Sequence, residues 1–179
     1  MNAASISNEE KLRLQAEDRF RFLVDFIPQL VWFTDATGFH TYFNQRWTDF
    51  TGYTLADSVG PDMWNNLLHP DDRQRARDVW GHSLATGEFY EIEYRFKDKN
   101  GGYRWFLGQA QPQFDENGQI AQWYGTCTDI QEQKETEFAL RKREQELERA
   151  YSDLEVKVTF RNLELEREVQ ELRRQLAQQ

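Results

Sequence analysis

From Gln131 to Gln179 the chain runs 49 residues without a Gly, Pro, Trp or His. Nothing in that stretch breaks a helix, and Glu, Gln, Arg and Leu, all good helix formers, dominate it. A single helix of that length extends roughly 73 Å. A lone helix so long has no partner for an apolar stripe, so the segment predicts a coiled coil. The stripe is traceable as Leu140, Leu147, Tyr151, Leu154, Val158, Asn162, Leu165, Val169, Leu172 and Leu176. Its three-four rhythm is interrupted after Leu154 by two successive steps of four. Such an insertion locally unwinds a supercoil. Asn162 falls at a core position, where a polar side chain fixes register and favours a parallel two-stranded assembly. Glu144 in the same seam weakens its start. A second apolar row, Val156, Phe160 and Leu163, overlaps the stripe, either as a register switch or as a broader apolar face.

The first 130 residues are of another kind. They hold all six Trp, ten Gly, four Pro and three His. So aromatic a segment must build a real core. Net charge is −9, with 12 acidic and 10 basic residues after position 130 contributing −2 of it. This balance argues against nucleic acid or an anionic membrane as the main partner, and the tail lacks the dense basic run of a DNA-reading helix. No stretch approaches the roughly 18 apolar residues of a membrane span. MNAASISNEEKLRLQ has no signal-peptide core, and Cys127 is the sole cysteine, so the expected location is cytoplasmic.

Periodicity divides this half further. Residues 8–27 read as an amphipathic helix capped by Asn8, with the stripe Leu12, Ala16, Phe20, Leu23 and Ile27, ended by Pro28. Leu30–Asp35 and Phe39–Asn44 read as a hairpin about Ala36-Thr37-Gly38. Short helices are expected over Gln45–Thr51 and Leu55–Asp57, and a turn from Pro61 through Met63–Leu68. A helix starting at Asp71 or Asp72 runs to Thr86, before Gly87. Three strand-like runs follow: Phe89–Lys97, Tyr103–Phe114 and Gln119–Thr128. Asn100-Gly101 and Asn117-Gly118 supply their hairpin turns. Strand pairs around a helical insert predict an α+β domain, one antiparallel sheet with helices on one face. The expected domains are 1–28, an N-terminal helix; 29–130, a globular domain; and 131–179, the coiled-coil helix.

The joints of this order carry the pieces Ile27-Pro28, TDATGFHTYFNQRWTDFTGYT (34–54), LHPDDR (68–73), SLATGEFYEIEYRFKDKNGGYRWF (83–106) and QPQFDENGQIAQWYGTCTDIQEQK (111–134). In that order and spacing they resemble the PAS family of sensory domains, in the form found in bacterial sensor histidine kinases. The resemblance covers about residues 20–134. It implies a PAS-like five-stranded antiparallel sheet with short helices over one face, a pocket between them, and a last strand that feeds an output helix. At that joint Asp129-Ile130 matches the family's Asp-Ile-Thr motif, with Gln131 in place of Thr. Asp129 is placed to cap the new helix, and the resemblance adds Asp129, Ile130 and Gln131 as a signal relay.

Signs of catalysis are few. His40, His69 and His82 form no short-spaced pair, and Cys127 has no companion thiol. His69 reads as a turn contact, His82 as a helix-end charge, and His40 as a structural or exposed strand residue. The haem ligand of oxygen-sensing relatives falls near Ala76 here, which argues against haem. The reactive Asn-Cys-Arg-Phe run of blue-light relatives is missing, which argues against covalent flavin. The tail has no phosphoacceptor His, and no ATP-binding segment is visible, so the chain reads as a non-enzyme. The aromatics Trp32, Phe33, Tyr42, Phe43, Trp47, Phe50, Trp64, Trp80, Trp105, Phe106, Trp123 and Tyr124 either fill the core or line a pocket for a flat or apolar ligand. Phe43, Trp47, Phe50, Trp64 and Trp80 are the candidate lining, with the ligand itself unspecified. Strand alternation sends some aromatics to the outer sheet face, toward the N-terminal helix or a partner subunit.

The expected function is a signal-input module that homodimerises through its coil and relays a change, by ligand or partner, to a downstream output. The competing reading is a ligand-free scaffold whose coil binds helical proteins.

Overall fold

The computed structural model describes residues 7–54, 56–58, 64 and 66–177. Leu55, Pro61 and Met63, on which parts of the expected short helix and turn fall, lie outside these residues, as does the start of the N-terminal segment. The chain divides into two units, Met1–Gln131 and Glu132–Gln179.

In the first unit α1 spans Asn8–Phe26. Its cap is Ser7, one residue earlier than expected, because the Ser7 Oγ accepts from Glu10 N at 3.1 Å while Asn8 is already helical. Only Val24 of this helix is buried. Of the expected stripe, Leu12 and Leu23 remain exposed, and Phe20 reaches Phe33 and Tyr42 at 5.9 and 6.3 Å between ring centroids. Those two rings lie on the outer sheet face, so the alternation argument holds for them.

β1 (Leu30–Asp35) and β2 (His40–Phe43) form the expected hairpin. Asp35 closes its turn: Oδ1 accepts from Thr37 Oγ1 at 2.6 Å, Thr37 N at 2.8 Å and Phe39 N at 3.0 Å. Asn44 leaves the strand to cap α2 (Gln45–Thr51), and its carboxamide donates to the Val24 and Gln29 carbonyls. A 3-10 turn at Ala56–Ser58 follows. His69 then caps a 3-10 turn at Pro70–Asp72, which runs into α3 (Arg73–Thr86). Gly87, at φ 74°, stops α3 in the left-handed conformation that favours glycine. β3 (Tyr90–Lys97), β4 (Tyr103–Phe114) and β5 (Ile120–Asp129) complete a five-stranded sheet in the order β2-β1-β5-β4-β3, all antiparallel.

The core lies between one sheet face and the helical segments. Leu30, Trp32, Ile92, Tyr94, Phe96, Phe106, Ala110, Trp123 and Cys127 project from the sheet, and Trp47, Leu67, Leu68 and Ala76 meet them. α4 (Gln131–Leu176) follows β5 directly. Every stripe position is exposed, with Leu147 at 68% and Leu176 at 72%. No helix among the described residues is long and apolar enough to cross a membrane.

Candidate functional site: an aromatic cavity and a strand-to-helix joint

A cavity of about 430 Å³ opens between the inner sheet face, the β1–β2 turn and α3. Its size falls within the roughly 300–1,000 Å³ typical of small-molecule sites. Trp32 and His40 come from the hairpin strands, and Thr37, Gly38 and Phe39 from the turn that Asp35 ties. Trp64 and Leu68 come from the segment before α3, Ala76, Arg77, Trp80 and Leu84 from α3 itself, and Tyr90 and Tyr94 from β3. The rings meet mostly edge to face: Trp32 lies 5.5 Å from Trp80 at 82° and 6.2 Å from Trp64 at 76°. This geometry suits their quadrupoles.

His40 is only 8% exposed. Its Nδ1 lies 3.3 Å from Trp64 Nε1. An indole N–H only donates, so Nδ1 is the acceptor and the imidazole proton sits on Nε2. That Nε2 is buried and has no partner among the described residues. Burial pulls the His40 pKa down from 6.5 to about 4, against the opposing charge of Asp35, so the ring is neutral near pH 7.

Under the cavity, Cys127 is fully buried, 3.2 Å from Tyr94 Oη and 3.3 Å from Trp32 Nε1. Burial pushes its thiol up to about 12, so it is a protonated packing residue. Two glycines permit this arrangement. A Cβ at Gly108 would overlap the Tyr94 hydroxyl, and one at Gly125 would overlap the Trp32 ring.

At the far end of β5 the expected cap forms: Asp129 Oδ1 accepts from Gln131 N at 2.9 Å, and Oδ2 pairs with Arg104 Nε at 2.8 Å. Ile130 is buried. Its N–H donates to the Trp105 carbonyl at 2.9 Å, and Trp105 N–H donates to Gln131 Oε1 at 2.9 Å. Gln131 thus makes the backbone contact at the position where the motif has Thr. Trp105 also carries the Arg95 guanidinium 5.1 Å over its ring. Arg95 in turn forks onto Asp72, just before α3, at 2.9 and 3.0 Å. Burial alone would raise the Asp72 carboxyl, but its bonds to Arg95 hold it below the usual range.

Trp64 and Trp80 of the anticipated lining do face the cavity. Phe43 and Trp47 instead stack on each other at 4.1 Å in the packed core, where Trp47 Nε1 donates to Ser58 Oγ at 3.1 Å. Phe50 packs on Phe106 at 4.9 Å. They sit on the α2 side, away from α3, and so fill space. His40 is neither exposed nor fully satisfied, and Tyr90 and Tyr94 join the wall unanticipated. The Tyr90-Ile92-Tyr94-Phe96 alternation was the readable signal for the two tyrosines. Ala76 lies in the cavity wall. His82 pairs with Glu88 at 2.9 Å. Among the described residues no group of three or more His, Cys, Asp or Glu could hold a metal ion.

The model of the PAS fold family matches residues 40–127. A crystal structure of a sensory box histidine kinase/response regulator from Burkholderia thailandensis superposes with a TM-score of 0.55 at 29% identity, over 73% of this chain and 98% of that one. The chain carries a PAS domain. The Sinorhizobium fredii protein y4lL is 36% identical over 132 residues, 73% of this chain and 16% of its own length. The peroxide stress-activated histidine kinase mak1 of Schizosaccharomyces pombe is 28% identical over 123 residues, 68% of this chain and 7% of its own length. The chain therefore spans a small part of the length of these relatives.

Proposed function

We propose that this PAS domain is the signal-input module of a two-component type signalling protein, working in the cytoplasm and feeding a separate output. A change in cavity occupancy shifts α3 and the sheet, and the joint at Asp129, Ile130 and Gln131 passes that shift to a parallel homodimeric coiled coil built on the stripe from Leu140 to Leu176. The observation that carries this reading is the joint itself. Two Trp105 backbone groups, the Arg104 ion pair and the Asp129 cap tie the end of β5 and Gln131, the first residue of α4, to β4. The family resemblance to histidine kinases supports the signalling role. The relay asks little energy, since a few kcal/mol decides a two-state element.

Cysteine cross-linking tests it. New cysteines placed singly along the α4 stripe should oxidise to dimers fastest at seam positions, and the pattern should shift when the cavity is filled. Cys127 is fully buried and will not compete. A pattern without periodicity, or one blind to occupancy, rejects the relay. The exposed second row, with Phe160 at 66%, favours one other reading: a scaffold whose helix binds a different helical protein.

A further inference from the structure

We infer that the cavity takes a flat, uncharged ring system that presents a hydrogen-bond acceptor, a carbonyl oxygen or ring nitrogen, to the Nε2–H of His40. The inference rests on the proposed use of the cavity as the sensory site and specifies what fills it. His40 Nε2 and Trp123 Nε1 are the buried side-chain polar atoms left without a partner among the described residues, and of the two residues only His40 lines the cavity. Its Nδ1 is taken by Trp64, its Nε2–H is closed off from water with no partner among the described residues, and the residue itself forms part of the cavity wall. A donor left unsatisfied in an apolar setting carries a desolvation penalty, which an incoming acceptor removes. The wall selects the rest of the ligand. Trp32, Trp64, Trp80, Tyr90 and Tyr94 offer ring faces and edges, which favour an aromatic guest.

Charge is disfavoured inside. The tyrosine hydroxyls are held protonated by burial, and the depressed His40 pKa keeps the imidazole neutral. Two charged groups lie near the site: Arg77, exposed at the α3 side, and half-buried Asp35, whose Oδ1 is occupied by the turn. A guest carrying only N–H donors would leave His40 unmatched, and a carboxylate seated among the rings, away from exposed Arg77 at the rim, would lose its hydration.

The test pairs chromone with naphthalene, two fused-ring compounds of the same outline that differ in the carbonyl acceptor. Binding to the full chain is read by tryptophan fluorescence, since three of the six tryptophans line the cavity. His40→Phe should weaken chromone about tenfold, the worth of one hydrogen bond, and leave naphthalene unchanged. His40→Gln, which restores an N–H at the same reach, should recover chromone binding. A thermal melt of each variant checks that it folds, and the wild-type comparison needs no variant. Equal effects of His40→Phe on both probes, or no effect on either, overturn the acceptor assignment and leave the cavity reading standing. Naphthalene binding without chromone binding does the same. If neither probe binds the wild type, the sensory use of the cavity falls, and this inference falls with it.

Discussion

Acid should destabilise this domain through a single histidine. In the folded chain His40 resists protonation down to about pH 4, whereas its ordinary value is 6.5. As pH falls through this window the unfolded chain takes up a proton that the folded chain refuses. Stability is therefore fully present above 6.5 and declines toward 4. At about 1.4 kcal/mol per pH unit, the whole interval is worth about 3 kcal/mol. The carboxyls of Asp35, Asp57 and Asp72 are all held below their ordinary 3.8, so their losses begin only beneath the histidine window. The assay is urea unfolding at fixed protein concentration, followed by tryptophan fluorescence from pH 7.5 down to 4.5. His40→Phe serves as the control that cannot titrate. The wild type should lose about 2 to 3 kcal/mol more than the variant over that range. Equal slopes would refute the reasoning, because they would mean that His40 protonates in place, with water or a partner that the buried geometry does not provide.

Three further outcomes are expected. Gly125→Ala drives a methyl group into the Trp32 ring and should cost about 1–3 kcal/mol in a thermal melt, as overpacking does; an unchanged Tm would show that the indole moves freely. Asp129→Ala removes the bond to Gln131 N and the Arg104 pair, and should lower the melting free energy by about 1 kcal/mol while blunting any response of the tail to chromone; an intact response would place the relay elsewhere. Asn162→Leu should raise the thermal stability of the coil and blur its oligomer number, read by analytical ultracentrifugation; the same dimer with the same Tm would remove Asn162 from the seam.

Much of the architecture was legible because it is written locally. Gly87, Gly101 and Gly118 stand where turns need positive φ, and the alternation along β3 and β5 names their inner faces. Asp129 as a cap followed from its place before a long breaker-free helix. What stayed hidden depends on partners far away in the chain. The Trp64–His40 contact joins residues 24 apart, and it alone reveals which His40 nitrogen is left over. Gly108 and Gly125 read as ordinary strand residues until the register sets one across from Ile92 and Cys127 and the other across from Trp32. The aromatic excess announced a rich core but not its division, with Trp47 and Phe43 filling one end and Trp64 and Trp80 bordering open space at the other. For α1 the stripe was misleading, since most of it stays exposed and Val24 carries the burial.

The relay requires two copies to meet along α4, and sedimentation velocity of the full chain asks this directly. At micromolar concentration the chain should sediment as a dimer, and cutting the apolar stripe with Leu154→Glu and Leu165→Glu should return it to a folded monomer. A wild-type chain that sediments as a monomer across that range would contradict the account.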